Sequence, residues 1–401
     1  MNPKVFTILF LIFSATAGFS QEKFLYQVGQ ELNIQSTVLG ESRKVWIQIP
    51  EDARPYEKFP VVYILDGGVH FSALATVHKY YWCDHMPRMI LVGISNRENR
   101  TRDLTISKLG MNNTDSGGSD LFTKFISDEL IPYVESNFPA TNYRTLIGHS
   151  LGGLFTVNVL LERPDLFANY IAIDPALDWD DQKILKDAAE KLSISDLSKK
   201  SLFVSLAAPL DRSDESVGIE EVRHSKSDFS ILARSILSFV QISESYIKTT
   251  WEYYPDEIHS TVPYPSIRDG LCAQFQWYRL ENVDLINNPG TAVEEMERLF
   301  DYRAKKLKDH FGYNVPPADE EMLNMGGYMF MQMNQIKKAG LFFEMAVKSY
   351  PKSINAHDSM AEYFLSIDEE DRALEELQKA YELSGEERYS EQIRKIKNDN
   401  H

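Results

Sequence analysis

Four stretches of the chain, "FPVVYILDGG", "RMILVGIS", "YRTLIGHS" and "NYIAIDPA", carry continuous rather than alternating apolar residues. A strand with one wet face alternates, whereas a strand apolar throughout is buried on both faces, as in a mostly parallel sheet covered by helices. Helical patterns fall between the runs, as in "SDLFTKFISDELIPYVESNF", and two further runs, "SLFVSLAAP" and "TTWEYYPDE", continue the series. Ahead of them, "NIQSTVLGESRKVWIQIPE" alternates on both sides of a Gly-Glu-Ser turn and reads as an antiparallel hairpin. The segment from about 25 to 282 is therefore expected to form one α/β domain.

The third run ends in "TLIGHSLGG", where Ser150 stands between Gly148 and Gly152 at a strand-to-helix junction. This is the G-x-S-x-G spacing of a nucleophile elbow. Small residues let neighbouring backbone pack closely, and the serine is held strained and exposed at the carboxyl end of the sheet. A serine hydroxyl needs a base to take its proton. In the chain order of this architecture, nucleophile then acid then histidine, the candidates are His224 and His259. His259 follows the last strand in "YYPDEIHSTV", on a loop facing the elbow, and is the expected base; His224 lies in the polar stretch "EEVRHSKSDF" and is expected on the surface.

The third member must orient the imidazole and stabilise its cation. Asp211, directly after "SLFVSLAAP", occupies the usual station and is the expected acid, with Asp214 and Glu215 close behind and Asp174 at the end of the preceding strand as alternatives. Oxyanion donors are expected from the N–H of Leu151, after the nucleophile, and from the Gly67–Gly68 turn in "YILDGGVHF".

Taken together, "LGESRKVWIQIPE", "VVYILDGG", "ILVGISNRENRTRDLT", "GGSDLFTKFISDELIPYVESNF", "GHSLGG" and "DEIHSTVPYPSIRDGL" resemble the esterase family of α/β-hydrolases that includes esterase D, bacterial siderophore esterases, feruloyl and acetyl-xylan esterases and the antigen 85 mycolyltransferases. The resemblance runs from about residue 30 to 282. It implies an α/β-hydrolase fold, Ser150 as nucleophile, His259 as base, and the N–H groups of Leu151 and Gly68 as the oxyanion hole. Relatives often carry serine before the proline in the segment matching "AIDPALDW"; Asp174 stands here instead and competes with Asp211 for the acid's role. Within "NRENRTRDLT", Arg100, Arg102 and Asp103 are expected to lock a loop through ion pairs rather than line the cleft.

Beyond "VDLINNPGTAVEE" the composition turns helical and repeats itself. Gly327, Phe330, Ala339, Phe343, Ala346 and Pro351 fall at tetratricopeptide spacing, and Ala361, Phe364, Leu377, Ala380 and Gly385 continue it one 34-residue period on. Two helix-turn-helix units cannot bury both faces alone, so the helix near "AVEEMERLFDYRAKKL" is expected to complete the stack or tie it to the hydrolase. The repeats are expected to act as a packing appendage or a lid, with a concave surface for a protein partner as the alternative.

At the other end, "MNPKVFTILFLIFSATAGFS" has one lysine, a short apolar run and small residues before a cut ahead of Gln21, the pattern of a signal peptide. That run is too short to span a bilayer, and no later stretch is longer and apolar, so an exported chain without a membrane span is expected, periplasmic or secreted. Cys83 and Cys272, the only cysteines, are expected as two buried thiols. A formal charge of -17 argues against nucleic-acid binding, which requires cations to neutralise phosphates. Metal-ligand and nucleotide-binding signatures are missing, and no cofactor is expected.

The expected organisation is a signal peptide over 1–20, an α/β-hydrolase domain with a mostly parallel sheet over 21–282, and a small all-α tetratricopeptide-like domain over 283–401. The expected activity is that of a serine carboxylic-ester hydrolase acting on a small-molecule, glycan or siderophore ester. The alternatives are an acyltransferase to a sugar hydroxyl and an inactive hydrolase fold serving as a binding platform.

Overall fold

The computed structural model describes residues 28–82, 85–109, 115–209 and 228–399. The expected runs all become strands: β1 (Gln30–Ser36), β2 (Glu41–Gln48), β3 (Phe59–Ile64), β4 (Ile90–Ile94), β5 (Ala140–His149), β6 (Asn169–Ile173), β7 (Ser201–Ala208) and β8 (Lys248–Ile258). They form one eight-stranded sheet in the order β1-β2-β4-β3-β5-β6-β7-β8. β2 is antiparallel to both β1 and β4, and every other pairing is parallel. β3, β4 and β6 are buried at every position, as unbroken apolar runs require, while β1 alternates as the outer strand of a hairpin.

Alternate residues of one strand feed two different cores. Val61 and Tyr63 of β3 join a cluster with Phe122, Leu154, Phe155 and Phe239 on one face. Val62 and Ile64 face the other, with Phe71 and Leu74 of α1 (Gly67–Tyr81) and Ile267 and Leu271 of α4 (Pro263–Gln274). Between these helices in sequence come α2 (Arg100–Leu104) and α3 (Leu151–Glu162), the latter following Ser150 directly and buried over nearly its whole length. Helices on both faces of a mostly parallel sheet, with this strand order, make the α/β-hydrolase architecture.

The helix expected to complete the helical stack or tie it to the hydrolase does both, so packing crosses the 282 boundary. Helix α5 (Val293–Phe311) belongs to both parts: Met296 and Phe300 enter the core of the C-terminal helices, whereas Leu307 and Phe311 complete the hydrolase cluster around Tyr143 and Phe275. The Phe311 ring meets Tyr143 at 4.9 Å and Trp277 at 5.0 Å, both edge to face. One long helix with apolar residues at both ends cannot be cut from either core, so the sheet's packing extends past 282. Beyond α5, helices α6 (Glu320–Gln332) and α7 (Ile336–Ser349) are followed by α8 (Ile354–Ser366) and α9 (Glu370–Ser384), so each pair restarts 34 residues after the last. The small residues of the repeat mark close approach: a Cβ on Gly327 would lie 2.5 Å from the Phe343 ring.

These helices sit at the amino-terminal end of the sheet. Tyr313 Oη donates to Thr141 Oγ1 at 2.9 Å, one residue into β5, and Tyr56, just before β3, donates to Glu320 at 3.0 Å. Arg54 forms an ion pair with the same buried carboxylate. The appendage is therefore attached at the end of the sheet away from Ser150, which rules out its acting as a lid.

Truncation of a buried phenylalanine typically costs about 3–5 kcal/mol. Phe311→Ala should destabilise the hydrolase by that amount in denaturant titrations followed through the whole chain. An unchanged midpoint would contradict the shared packing.

Candidate active site

Ser150 has φ 59° and ψ -118°, a conformation that a non-glycine residue holds only when its surroundings over-determine it. Here they do. Ser150 N–H donates to Ile173 O of β6 at 3.0 Å, and its carbonyl accepts from both Leu154 N and Ala176 N at 3.0 Å. A Cβ on Gly148 would lie 2.1 Å from Gly152 O, so the turn closes only with glycine there. The second tight contact differs from expectation. At Gly152 a Cβ would make ordinary contact, 3.5 Å from Leu65, whereas on Gly153 it would stand 2.7 Å from Pro175. It is the second glycine of the pair that lets α3 lie against the end of β6.

His259 follows β8 with its side chain half exposed, and its Nδ1 lies 2.6 Å from Asp174 Oδ2. Asp174 is 1% exposed and sits at φ 41°, a left-handed conformation that aspartate tolerates better than most residues. Its other oxygen accepts Ala207 N–H at 3.1 Å, and its own N–H donates to Ser205 O at 3.0 Å, so β7 fixes the carboxylate from behind. The carboxylate on His259 is therefore Asp174, from the end of β6, one of the alternatives expected beside Asp211. Asp211, Asp214, Glu215 and His224 lie outside the described residues. A charge-assisted hydrogen bond at this distance fixes Nδ1 as the protonated nitrogen and leaves Nε2 as the acceptor. Ser150 Oγ and His259 share no hydrogen bond in this unliganded arrangement; in hydrolases that contact commonly tightens only with substrate.

The expected oxyanion donors occupy matching places. Leu151 is the first residue of α3 and Gly68 the second of α1, first-turn positions whose N–H groups have no acceptor within their own helix. The two turns are neighbours, since a Cβ on Gly152 would lie 3.7 Å from Asp66 Oδ2, just ahead of α1. Arg100 ties them together. Its Nε donates to both Asp66 carboxylate oxygens at 3.0 Å, and its Nη2 donates to His149 O, beside Ser150, at 3.2 Å.

The rest of "NRENRTRDLT" is scaffolding, as expected. Arg102 grips Glu41 through two nitrogens at 2.7 and 3.1 Å, and its hydrogen bond is the main reason the Glu41 carboxyl titrates below its ordinary range. Asp103, fully buried, takes Arg43 at 2.7 Å and Arg102 at 2.8 Å. The network locks the β1–β2 hairpin to α2. Asp178, near the Asp174–His259 pair, is pushed up chiefly by burial and, less strongly, by the Asp174 charge.

A cavity of about 1050 Å³ lies at the opposite end of the sheet. Phe59 and Ala140, the first residues of β3 and β5, line it together with Tyr313, Asp319 and Tyr350 of the helical region. It holds none of the groups above, and chemistry rather than volume marks the site. Cys272 is a free, half-buried thiol on α4, and Cys83 lies outside the described residues. No helix among the described residues is long and apolar enough to cross a membrane.

Comparison with known proteins places this geometry in context. The family described as "Putative esterase" matches residues 36–225. The ferri-bacillibactin esterase BesA of Bacillus subtilis is 29% identical over 239 residues, spanning 54% of this chain and 79% of that protein. The siderophore triacetylfusarinine C esterase of Aspergillus fumigatus is 27% identical over 246 residues, with 54% and 82% of the two chains covered. Among solved structures, an IroE-like serine hydrolase from Shewanella oneidensis superposes with a TM-score of 0.64 at 25% identity, covering 79% of this chain and 98% of that one. Residues 36–225 are thus similar to this esterase family, and the sheet order and the elbow agree with that similarity.

Proposed function

We propose that the chain is a serine carboxylic-ester hydrolase working through an acyl-enzyme on Ser150, with His259 as general base and Asp174 as the acid that orients it. One observation carries this reading: the strained Ser150 and the Asp174–His259 pair stand together at the carboxyl end of one sheet.

In this mechanism Asp174 holds Nδ1–H, so Nε2 takes the Ser150 proton as Oγ bonds to the ester carbonyl carbon. The carbonyl electron pair moves to oxygen, where the N–H groups of Leu151 and Gly68 receive it. Collapse of that intermediate breaks the bond to the alcohol, which leaves with the proton from His259. Water, deprotonated by the same nitrogen, then releases the acid and regenerates Ser150. Arg100 acts at one remove by fixing the Gly68 turn against the elbow.

A siderophore ester is the substrate class favoured by the relatives, whose names specify ferri-bacillibactin and triacetylfusarinine C. Acyl transfer to a sugar hydroxyl would use the same acyl-enzyme, and a panel of siderophore, glycan and small acyl esters, with and without sugar acceptors, discriminates the two. The apolar segment over 1–20 supports export to the periplasm or beyond. The 34-residue helical repeats, attached away from the chemistry, support a tetratricopeptide-like appendage with room for a protein partner.

Ser150→Ala should lower kcat by about a millionfold with the melting temperature near wild type. His259→Ala should cost about as much, and the double variant no more than either, because the two act as a unit. Substantial hydrolysis by Ser150→Ala, or additive losses, would end this reading. Asp174→Asn should lower kcat by about ten-thousandfold through the wrong imidazole tautomer, with Asp211→Asn close to wild type. The reverse pattern would return the acid's role to Asp211.

A further inference from the structure

Three histidines from three separate elements stand in a row beside Ser150. His70 comes from the first turn of α1, His149 ends β5, and His259 follows β8. The His149 ring centroid lies 4.5 Å from that of His259, with the planes tilted by 41°, and 5.5 Å from that of His70, edge to face at 86°. Burial, reinforced by the charges of His259 and His70, holds His149 down to about 3, so this ring is neutral wherever an esterase works. Burial depresses His70 as well. His259 differs in having a carboxylate on Nδ1 and half its side chain open to solvent.

No acid grips His149. Its Nε2 is buried without a hydrogen-bond partner, at a position where phenylalanine would avoid the cost of an unpaired polar atom. The middle histidine lies against His259 through its ring. A neutral aromatic ring within about 6 Å attracts a cation through its quadrupole. Imidazolium is the species that His259 becomes when Ser150 gives up its proton.

We propose that His149 is a positioning residue for the base, its neutral ring stabilising the imidazolium form of His259 while Asp174 does so at Nδ1. The inference rests on His259 being the general base. The other charged groups around the row are Asp174 and Asp178 from the end of β6, and the Asp66–Arg100 pair between β3 and α2. All of them are unchanged when only residue 149 is replaced, so variants at that position isolate the ring.

The test is the pH dependence of kcat/KM for p-nitrophenyl acetate, measured on the full mature chain and its His149→Leu, His149→Phe and His149→Gln variants, each with its melting temperature. In His149→Leu the imidazolium loses a neighbour and binds its proton less tightly. The acid limb should then move to lower pH by roughly half a unit, with kcat about threefold lower and KM nearly unchanged. His149→Phe should restore both limb and rate, whereas His149→Gln, polar but without a ring, should behave like His149→Leu. An unmoved limb in a folded His149→Leu overturns the inference, as does restoration by glutamine rather than phenylalanine. If His149→Leu fails to fold, the contrast between phenylalanine and glutamine decides alone. Hydrolysis that survives Ser150→Ala would overturn the reading of the site and this inference with it, whereas an unmoved limb in a Ser150-dependent enzyme overturns the inference only.

Discussion

The hydrogen bond between Asp174 and His259, 2.6 Å long and 85 residues apart in sequence, is the constraint on which the site depends. It joins the end of β6 to the loop after β8 and brings an imidazole to the end of the sheet where the β5–α3 turn presents Ser150. The same turn uses β6 as its anchor, since Ser150 N–H donates to Ile173 O, one residue before Asp174. Asp174 and Ser150 are thus held by adjacent peptide groups at the end of one buried strand, and relative motion between them would have to break hydrogen bonds of the sheet. Catalytic groups placed on so rigid a base lose little precision to thermal motion.

Much of this was legible in the residues. Continuous apolar runs, two glycines around a serine, and a histidine after the last strand pointed to the sheet, to the strained turn at Ser150 and to the place of His259, because each is a local pattern. The partner of His259 was harder to read, because it depends on which of several strand-end carboxylates the His259 loop reaches across the sheet, a tertiary distance that local sequence does not encode. The available signal was Asp174 itself, a carboxylate at the end of a fully apolar strand where relatives often carry serine. The role of Gly153 was hidden for a similar reason, since only the packed structure shows Pro175 against it.

The domain boundary also escaped sequence reading. A change in composition marks where helices begin, but α5 carries apolar residues suited to either core, and only packing shows that Leu307 and Phe311 belong with the sheet. The helical region consequently braces the amino-terminal end of the strands, whereas Ser150, Asp174 and His259 stand at the carboxyl end.

The most direct test of this account is to treat the full chain with diisopropyl fluorophosphate and locate the adduct by mass spectrometry. The account predicts a single phosphoryl adduct on Ser150, formed rapidly in the wild type, slowly in His259→Ala and Asp174→Asn, and at an unchanged rate in Asp211→Asn. An adduct on another residue, or labelling of Ser150 that does not depend on His259, would contradict it.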